Sequence, residues 1–107
     1  MIKNKILNLL GIASRARKLI FGSDSVEKGL QDKKVTCVIV TSDSSLNTKN
    51  KFKKKCYFYK VPLILLSDSL EIGKAVGKKE AKVIGLCDQG FYESLEKLLK
   101  DGDSYES

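Results

Sequence analysis

The sequence predicts an α/β fold, a three-layer α/β/α sandwich around a mixed sheet of about four strands. Several runs of apolar, mostly β-branched residues recur along the chain, as in strands that are covered on both faces. Between these runs, apolar residues recur at intervals of three and four, which is the spacing of an amphipathic helix. This alternation predicts helices on both faces of a mostly parallel or mixed sheet.

The first predicted element is an amphipathic helix that ends in a basic cluster. Its apolar residues recur at helical spacing from Ile2 to Ala16. Arg15, Arg17 and Lys18 form the cluster at its C-terminal end. Two interpretations stay open: the cations complement the helix dipole, or they contact phosphate.

A glycine turn between a short strand and a helix follows. Residues 19–21 are predicted to be extended, and the helix to run from about residue 24 to residue 31. Ser23 or Asp24 is expected to cap the helix. Its N-terminus would offer free N–H groups and a partial positive charge to phosphates or base edges. An ordinary strand-to-helix turn is the other interpretation.

The clearest strand, residues 35–41, leads into a lysine-rich helix over residues 46–60. Phe52, Cys56 and Tyr59 are predicted to form the inner face of that helix. The segment has six lysines and no acidic residue. Its lysines indicate either a solvated face or a flank that faces phosphates.

The rest of the chain predicts two further strands and two helices. Residues 61–66 are expected to form a second buried strand, with Pro62 near its start. A short helix follows, capped by Ser67 or Asp68 and ended by Gly77. Residues 82–87 predict another strand, and Phe91 begins the apolar stripe of the last helix. We expect one domain over residues 1–100 and a short acidic tail over residues 101–107.

The charge is basic and unevenly distributed. The net charge is +7, with 18 basic against 7 acidic residues up to residue 86 and 2 against 6 from residue 87 onward. A basic body attracts polyanions and binds them by releasing counterions. RNA, DNA and anionic membranes are the candidate partners, and a biased genome composition is the alternative explanation.

The sequence lacks the residues and motifs that common catalytic, metal-binding and nucleotide-binding sites require. The chain has no histidine, no C-x-x-C pair and neither of the common glycine-rich nucleotide motifs. Its carboxylates are scattered, one to a loop, at Asp24, Asp43, Asp68 and Asp88. We therefore expect a non-catalytic protein with no cofactor and no metal. The absence of a long apolar run or targeting segment predicts no membrane partner and a cytoplasmic location.

Three segments resemble one family when they are read together. They are LGIASRARKLIFGSDSVEKGL at 10–30, VIVTSDSSLNTKNKFKKKCYFYKVPL at 38–63, and LEIGKAVGKK at 70–79. They resemble the kink-turn RNA-binding ribosomal protein family of the L-seven-Ae and L-thirty-e type, and most of all its small bacterial YlxQ-type branch. The resemblance covers about residues 5–95 and implies an α/β/α sandwich.

The resemblance also implies a two-part RNA site. One part is the N-terminal turn of the second helix, which in the family enters the major groove beside sheared G·A pairs. The other is the loop after the fourth helix, which lies over bulged nucleotides. The first part falls on Gly22, Ser23, Asp24, Ser25 and Lys28, and the second on Ala75, Val76, Gly77 and Lys78.

The chain departs from the family at Asp24-Ser25, where Asn-Glu is usual. An ionised aspartate accepts hydrogen bonds but cannot donate one to guanine O6. The implied partner is structured RNA such as a kink-turn or ribosomal RNA, with the ribosome as a possible setting and a monomer as the expected state. The alternatives are a protein-interaction module, an accessory module of an RNA-processing or modification machinery, and an enzyme.

Overall fold

A computed structural model describes the backbone of residues 2–66 and 68–106 and the side chains of residues 4–66 and 68–100. Helices and strands alternate along the chain, as predicted. The elements are α1 (Ile2–Arg15), β1 (Leu19–Phe21), α2 (Ser23–Gln31), β2 (Cys37–Thr41), α3 (Leu46–Tyr59), β3 (Leu63–Leu66), α4 (Ser69–Val76), β4 (Val83–Leu86) and α5 (Gln89–Glu106). The side chains of the expected acidic tail, from residue 101 onward, lie outside the described residues.

The four strands form one mixed sheet in the order β1-β4-β2-β3. β2 and β3 are parallel, whereas β4 lies between β1 and β2 and is antiparallel to both. The expectation of a mixed sheet is confirmed, and that of mostly parallel pairing is wrong. β4 is antiparallel to β2 because α4 and the loop after it return the chain to the sheet edge at which β3 ends.

Three strands, β1, β2 and β3, end at one edge of the sheet, and the fourth, β4, begins there. Two backbone hydrogen bonds show this: Gly22 N–H donates to the Val83 carbonyl at 3.0 Å, and Thr41 N–H donates to the Lys82 carbonyl at 2.9 Å. We call this the upper edge; the segments that follow β1 and precede β4 meet at it.

Two separate cores confirm the three layers. Alternate residues of β2 belong to different cores, with Cys37 and Ile39 on one face and Val38 and Val40 on the other. The first face is covered by α1, α4 and α5, and the second by α2 and α3. Because the side chains of a strand alternate between its two faces, a uniformly apolar strand requires cover on both.

β3 is less buried than the sequence predicts. Residues 61–66 were expected to form a buried strand, but β3 lies at the edge of the sheet and Leu65 is 49% exposed. An edge strand has a neighbour on one side only, and its apolar run gives no sign of that position. Pro62 precedes β3, as predicted, and its carbonyl accepts a hydrogen bond from Val38 N–H at 3.0 Å.

The helix ends confirm some predicted caps and correct one. Asp68 accepts a hydrogen bond from Glu71 N–H at 2.9 Å and caps α4, whereas Ser67 lies outside the described residues. Gly77 ends α4 with φ +77°. The expectation that Ser23 or Asp24 caps α2 is wrong, because Gly22 is the capping residue and both polar residues already lie in the first turn.

Candidate nucleic-acid interface

The N-terminus of α2 is fixed by the backbone of Gly22. This residue has φ +96° and ψ +150°, a conformation that is essentially restricted to glycine. Its N–H is bound to β4, so the helix starts at the upper edge and extends away from it. No side chain caps α2, and Asp24 and Ser25 are exposed in its first turn while Ser23 is half-buried. The first-turn amides therefore face the surface without a side-chain acceptor of their own.

Lys28 lies one turn further along α2 and is also exposed. Its Nζ lies 3.8 Å from Oδ2 of Asp32, and the exposed fractions of the two side chains are 78% and 41%. An ion pair this exposed is weak and is easily exchanged for another anion. Lys28 is therefore available to a phosphate or to guanine acceptors near the start of α2.

The segment after α4 contributes the second part of the expected site. Gly77 and Lys78 are exposed, and Ala75 is half-buried. Val76, the remaining residue of this predicted part, adds no surface, since its side chain is only 6% exposed and packs in the core of the α1, α4 and α5 face. Helical spacing explains this: Ile72 and Val76 are four residues apart on the inner face of α4.

The two predicted parts lie side by side. The Nζ of Lys78 lies 4.8 Å from the centroid of the Phe21 ring, so a cation–π contact links the loop after α4 to the residue before Gly22. A depression of about 330 Å³ adjoins the start of α2 at the upper edge. It is lined by Phe21, Gly22, Ser23, Glu80, Ala81, Lys82 and Val83.

The basic cluster at the end of α1 is divided between two regions. Arg15 lines a groove of about 740 Å³ between α1 and α4 together with Lys74 and Ala75, next to the second part of the site. Lys18 precedes β1 at the opposite edge, where its carbonyl accepts a hydrogen bond from Cys87 N–H at 2.8 Å. At ~3.3 Å per strand residue, Lys18 lies roughly 13 Å from Gly22. The structure thus brings Arg15 to the site and separates Arg17 and Lys18 from its α2 part.

Sequence reasoning missed the residues before β4 that line the depression. Phe21 lies about 60 positions before Glu80 and Lys82 along the chain and meets them because β1 pairs with β4. β1 has three residues, too few for a pairing partner to be inferred from its pattern. The excess of lysine over acid in residues 74–82 was the available signal.

Three of the four scattered carboxylates, Asp43, Asp68 and Asp88, accept hydrogen bonds that hold the fold. Asp88 accepts a hydrogen bond from Phe91 N–H at 2.9 Å, and Asp43 accepts two from Ser69, at 3.0 Å from N–H and 2.8 Å from Oγ. Hydrogen bonds from the Thr41 and Ser69 hydroxyls lower the pKa of Asp43.

Among the described residues, no group of histidine, cysteine, aspartate and glutamate side chains is arranged to hold a metal ion. Over the same residues, no helix is both long and apolar enough to cross a membrane.

The fold and these surfaces define an α/β/α sandwich in which an exposed helix N-terminus without a side-chain cap lies beside a lysine-bearing loop. The chain belongs to the ribosomal protein L7Ae/L30e/S12e/Gadd45 family, whose model matches residues 4–96. The resemblance found in the sequence is confirmed by this match. Since the family is one of non-catalytic binding proteins, the prediction that the chain is not an enzyme is also confirmed.

Relatives place the chain in the YlxQ branch of the family. It is 40% identical over 91 residues to the RNA-binding protein YlxQ of Bacillus subtilis, covering 85% of this chain and 91% of the relative. It is 38% identical over 98 residues to the protein of the same name from Enterococcus faecium, covering 92% and 94%.

Solved structures confirm the fold. A protein of unknown function from Bacillus halodurans superposes with a TM-score of 0.87 at 42% identity, covering 90% of this chain and 97% of that one. The 15.5 kDa RNA-binding protein of Giardia lamblia superposes with a TM-score of 0.79, covering 96% and 88%. At 14% identity, the second likeness concerns the fold alone.

Proposed function

We propose that this protein binds structured RNA of the kink-turn class, with the N-terminus of α2 and the loop after α4 acting as one surface. The observation that carries the proposal is the contact between Lys78 and Phe21, which joins the loop after α4 to the residue before Gly22. The names of the bacterial relatives, both RNA-binding proteins, support it.

The first turn of α2 has the groups needed to contact the sheared G·A pairs of a kink-turn. Gly22 has no side chain and nothing lies within 4 Å of where its Cβ would be, so RNA can approach the backbone closely. Lys28 can donate to the O6 and N7 acceptors of guanine or to a phosphate. Asp24 can accept from the guanine N–H donors, and the positive end of the helix dipole offsets its charge.

The loop after α4 has the groups needed to contact the bulged nucleotides of a kink-turn. Ala75 and Gly77 form a small, low surface against which an unstacked base can lie, and Lys78 stands at its rim. Arg15 reaches the same region from α1, and its guanidinium can form a bidentate pair with a phosphate. Arg17 and Lys18 lie outside this surface. In our proposal they contribute only to the overall positive electrostatic potential of the protein.

An RNA partner also suggests where the protein acts and in what oligomeric state. We place the protein in the cytoplasm, as a monomer acting on ribosomal RNA or on RNA associated with ribosomes. The strongly basic body supports this proposal, since +11 of formal charge up to residue 86 favours encounter with a polyanion.

The test is a titration of the purified protein against a kink-turn duplex that carries fluorophores at both ends. A matched duplex without the G·A pairs is titrated beside it over a series of salt concentrations. We expect tight binding and bending of the intact motif only. Equal binding of both duplexes with a steep salt dependence would contradict the proposal, because it indicates charge alone.

Lys28→Ala tests the assigned surface within the same assay. Loss of a base contact should weaken binding by about 1–3 kcal/mol, whereas loss of a phosphate contact should reduce the salt slope by about one. Lys97→Ala, which removes the same charge from an exposed position on α5, is the matched control. Identical affinities of the two variants would exclude Lys28 from the site.

A further inference from the structure

The C-terminal end of α3 exposes two adjacent aromatic rings. Tyr57 is 88% exposed and Phe58 is 75% exposed. Large aromatic side chains are normally at least half-buried, so two neighbours left in solvent require an explanation. The family model covers these residues, but the proposed site at the start of α2 does not include them.

Lysines surround the two rings at helical spacing. Lys54 lies three residues before Tyr57 and four before Phe58, so its side chain is on the same surface as both. Lys53 lies four residues before Tyr57, and Lys60 follows at the end of the helix. All three lysines are exposed, and no described carboxylate pairs with them.

The other lysines of α3 show the contrast. Lys51 and Lys55 lie 2.8 Å and 3.5 Å from Oε1 of Glu27 and attach α3 to α2. These two are therefore structural, and they stand on the side of α3 that faces the protein. Lys53 and Lys54, by contrast, have no carboxylate partner among the described residues and lie at helical spacing from the aromatic rings.

The rings belong to a preformed surface. Phe58 packs edge-on against Tyr59 with their centroids 4.9 Å apart, and Tyr59 is itself half-buried beside Val61 and Leu63 at the edge of the core. A shallow depression of about 800 Å³ adjoins the rings, lined by Lys54, Cys56, Tyr57, Phe58, Lys60, Val61 and Pro62. Lys60 closes the helix in a left-handed conformation, with φ +59° and ψ +43°.

We propose that this aromatic-lysine platform, Lys53, Lys54, Tyr57, Phe58 and Lys60, is a second RNA site that binds unpaired nucleotides. Exposed rings accept bases by stacking, and adjacent cations neutralise the phosphates between them. Unpaired lysines next to apolar rings favour a polyanion over an apolar protein partner. The inference rests on the proposed function in taking RNA as the partner, but it concerns a different surface.

The platform and the α2 surface lie at opposite ends of the molecule. α3 starts at the upper edge, after β2, and its 14 residues span about 21 Å to the opposite edge. A single strand that leaves a folded RNA element held at the upper edge could run along α3 to the platform. The second site would thus recognise the flanks of a structured element.

The experiment uses the full chain and two probes. One probe is a fluorescent single-stranded oligonucleotide of about 12 nucleotides, and the other is the blunt-ended kink-turn duplex. The variant Tyr57→Ala/Phe58→Ala removes both rings from exposed positions. Leu46→Ala, at the other end of α3 and 70% exposed, is the control for loss of exposed apolar surface. Tyr57→Phe preserves stacking and should preserve binding.

We expect the double alanine variant to lose about tenfold or more in affinity for the single strand, with duplex binding unchanged. An oligonucleotide that contains 5-bromouridine should cross-link to Tyr57 or Phe58.

If the duplex fails to bind while the single strand binds through the rings, the proposed function is overturned and the second site is supported. Single-strand binding that is absent, or that is the same in all variants, would overturn the second site. Ring-dependent binding to phosphatidylserine vesicles without single-strand binding would also overturn it, in favour of a membrane surface.

Discussion

Lys28, the cation expected to contact RNA from α2, lies 3.8 Å from Asp32 in the free protein. Asp32 is one turn further from the start of the helix, so the pair draws the cation away from the proposed site. In the proposed complex, a contact between Lys28 and RNA replaces this pair. The exchange costs little because an exposed pair contributes roughly 0.2–1 kcal/mol.

Asp32→Asn should therefore raise the affinity for the kink-turn duplex by about two- to fivefold at low salt, because Lys28 is released and a repulsive charge is removed. Fluorescence titration measures the change. Glu96→Gln is the matched control, since it removes the partner of Lys100 at the same helical spacing on α5. An equal gain in both variants would indicate net charge and count against a specific role of Lys28.

Gly22 and Gly77 allow a comparison of two strained backbone positions. Both have positive φ, +96° and +77°, and a Cβ at either position would meet nothing within 4 Å. Only Gly77, with ψ +29°, lies where other residues are tolerated. Gly22→Ala should cost about 1–3 kcal/mol of unfolding free energy, and Gly77→Ala about 1 kcal/mol. Urea unfolding measures both, and equal costs would show that the backbone of Gly22 can relax.

The elements with strong local patterns could be predicted from the sequence. β2 is uniformly apolar, and Phe52 and Cys56 are buried on α3 at the expected spacing. The glycine that ends α4 and the aspartate that caps it were likewise local signals. Such features depend on residues within four positions of one another, so a single sequence contains them.

Features that depend on pairing could not be predicted. The insertion of β4 between β1 and β2 is decided by contacts across the whole chain, and it brings Lys82 next to Gly22. The same pairing holds the Gly22 backbone and leaves Ser23 and Asp24 inside the helix. Local propensity favoured those two residues as caps, and tertiary structure overrode it. The residues of the α2 half of the candidate site could thus be named from the sequence, whereas the residues that pack beside them could not.

Glu27 predicts a pH dependence of the contact between α2 and α3. A hydrogen bond from Lys51, with the charges of Lys51 and Lys55, lowers the pKa of Glu27 below its ordinary value of 4.5. A lowered pKa in the folded state means that the carboxylate stabilises the fold above pH 4.5 and that this contribution is lost as the pH falls further. The midpoint of urea unfolding should therefore be lower for Glu27→Gln than for the wild type at pH 7. The difference should shrink below pH 4.5, and a constant difference would contradict the assignment.

The three free cysteines predict an order of thiol reactivity. Burial raises the pKa of Cys37 to about 12 and that of Cys56 to about 11, so neither forms appreciable thiolate near neutral pH. Cys87 is only half-buried, and although burial raises its pKa, the charges of Lys34 and Lys18 oppose the rise.

A disulfide reagent at pH 8 should therefore modify Cys87 first and reach the other two thiols only when the protein unfolds. Absorbance of the released thiolate measures the rates, and Cys87→Ser should abolish the fast phase. Lys18→Ala and Lys34→Ala should each slow that phase, because a lost cation raises the pKa of the Cys87 thiol. Equal reaction of all three cysteines in the folded protein would show that the core around Cys37 and Cys56 opens readily.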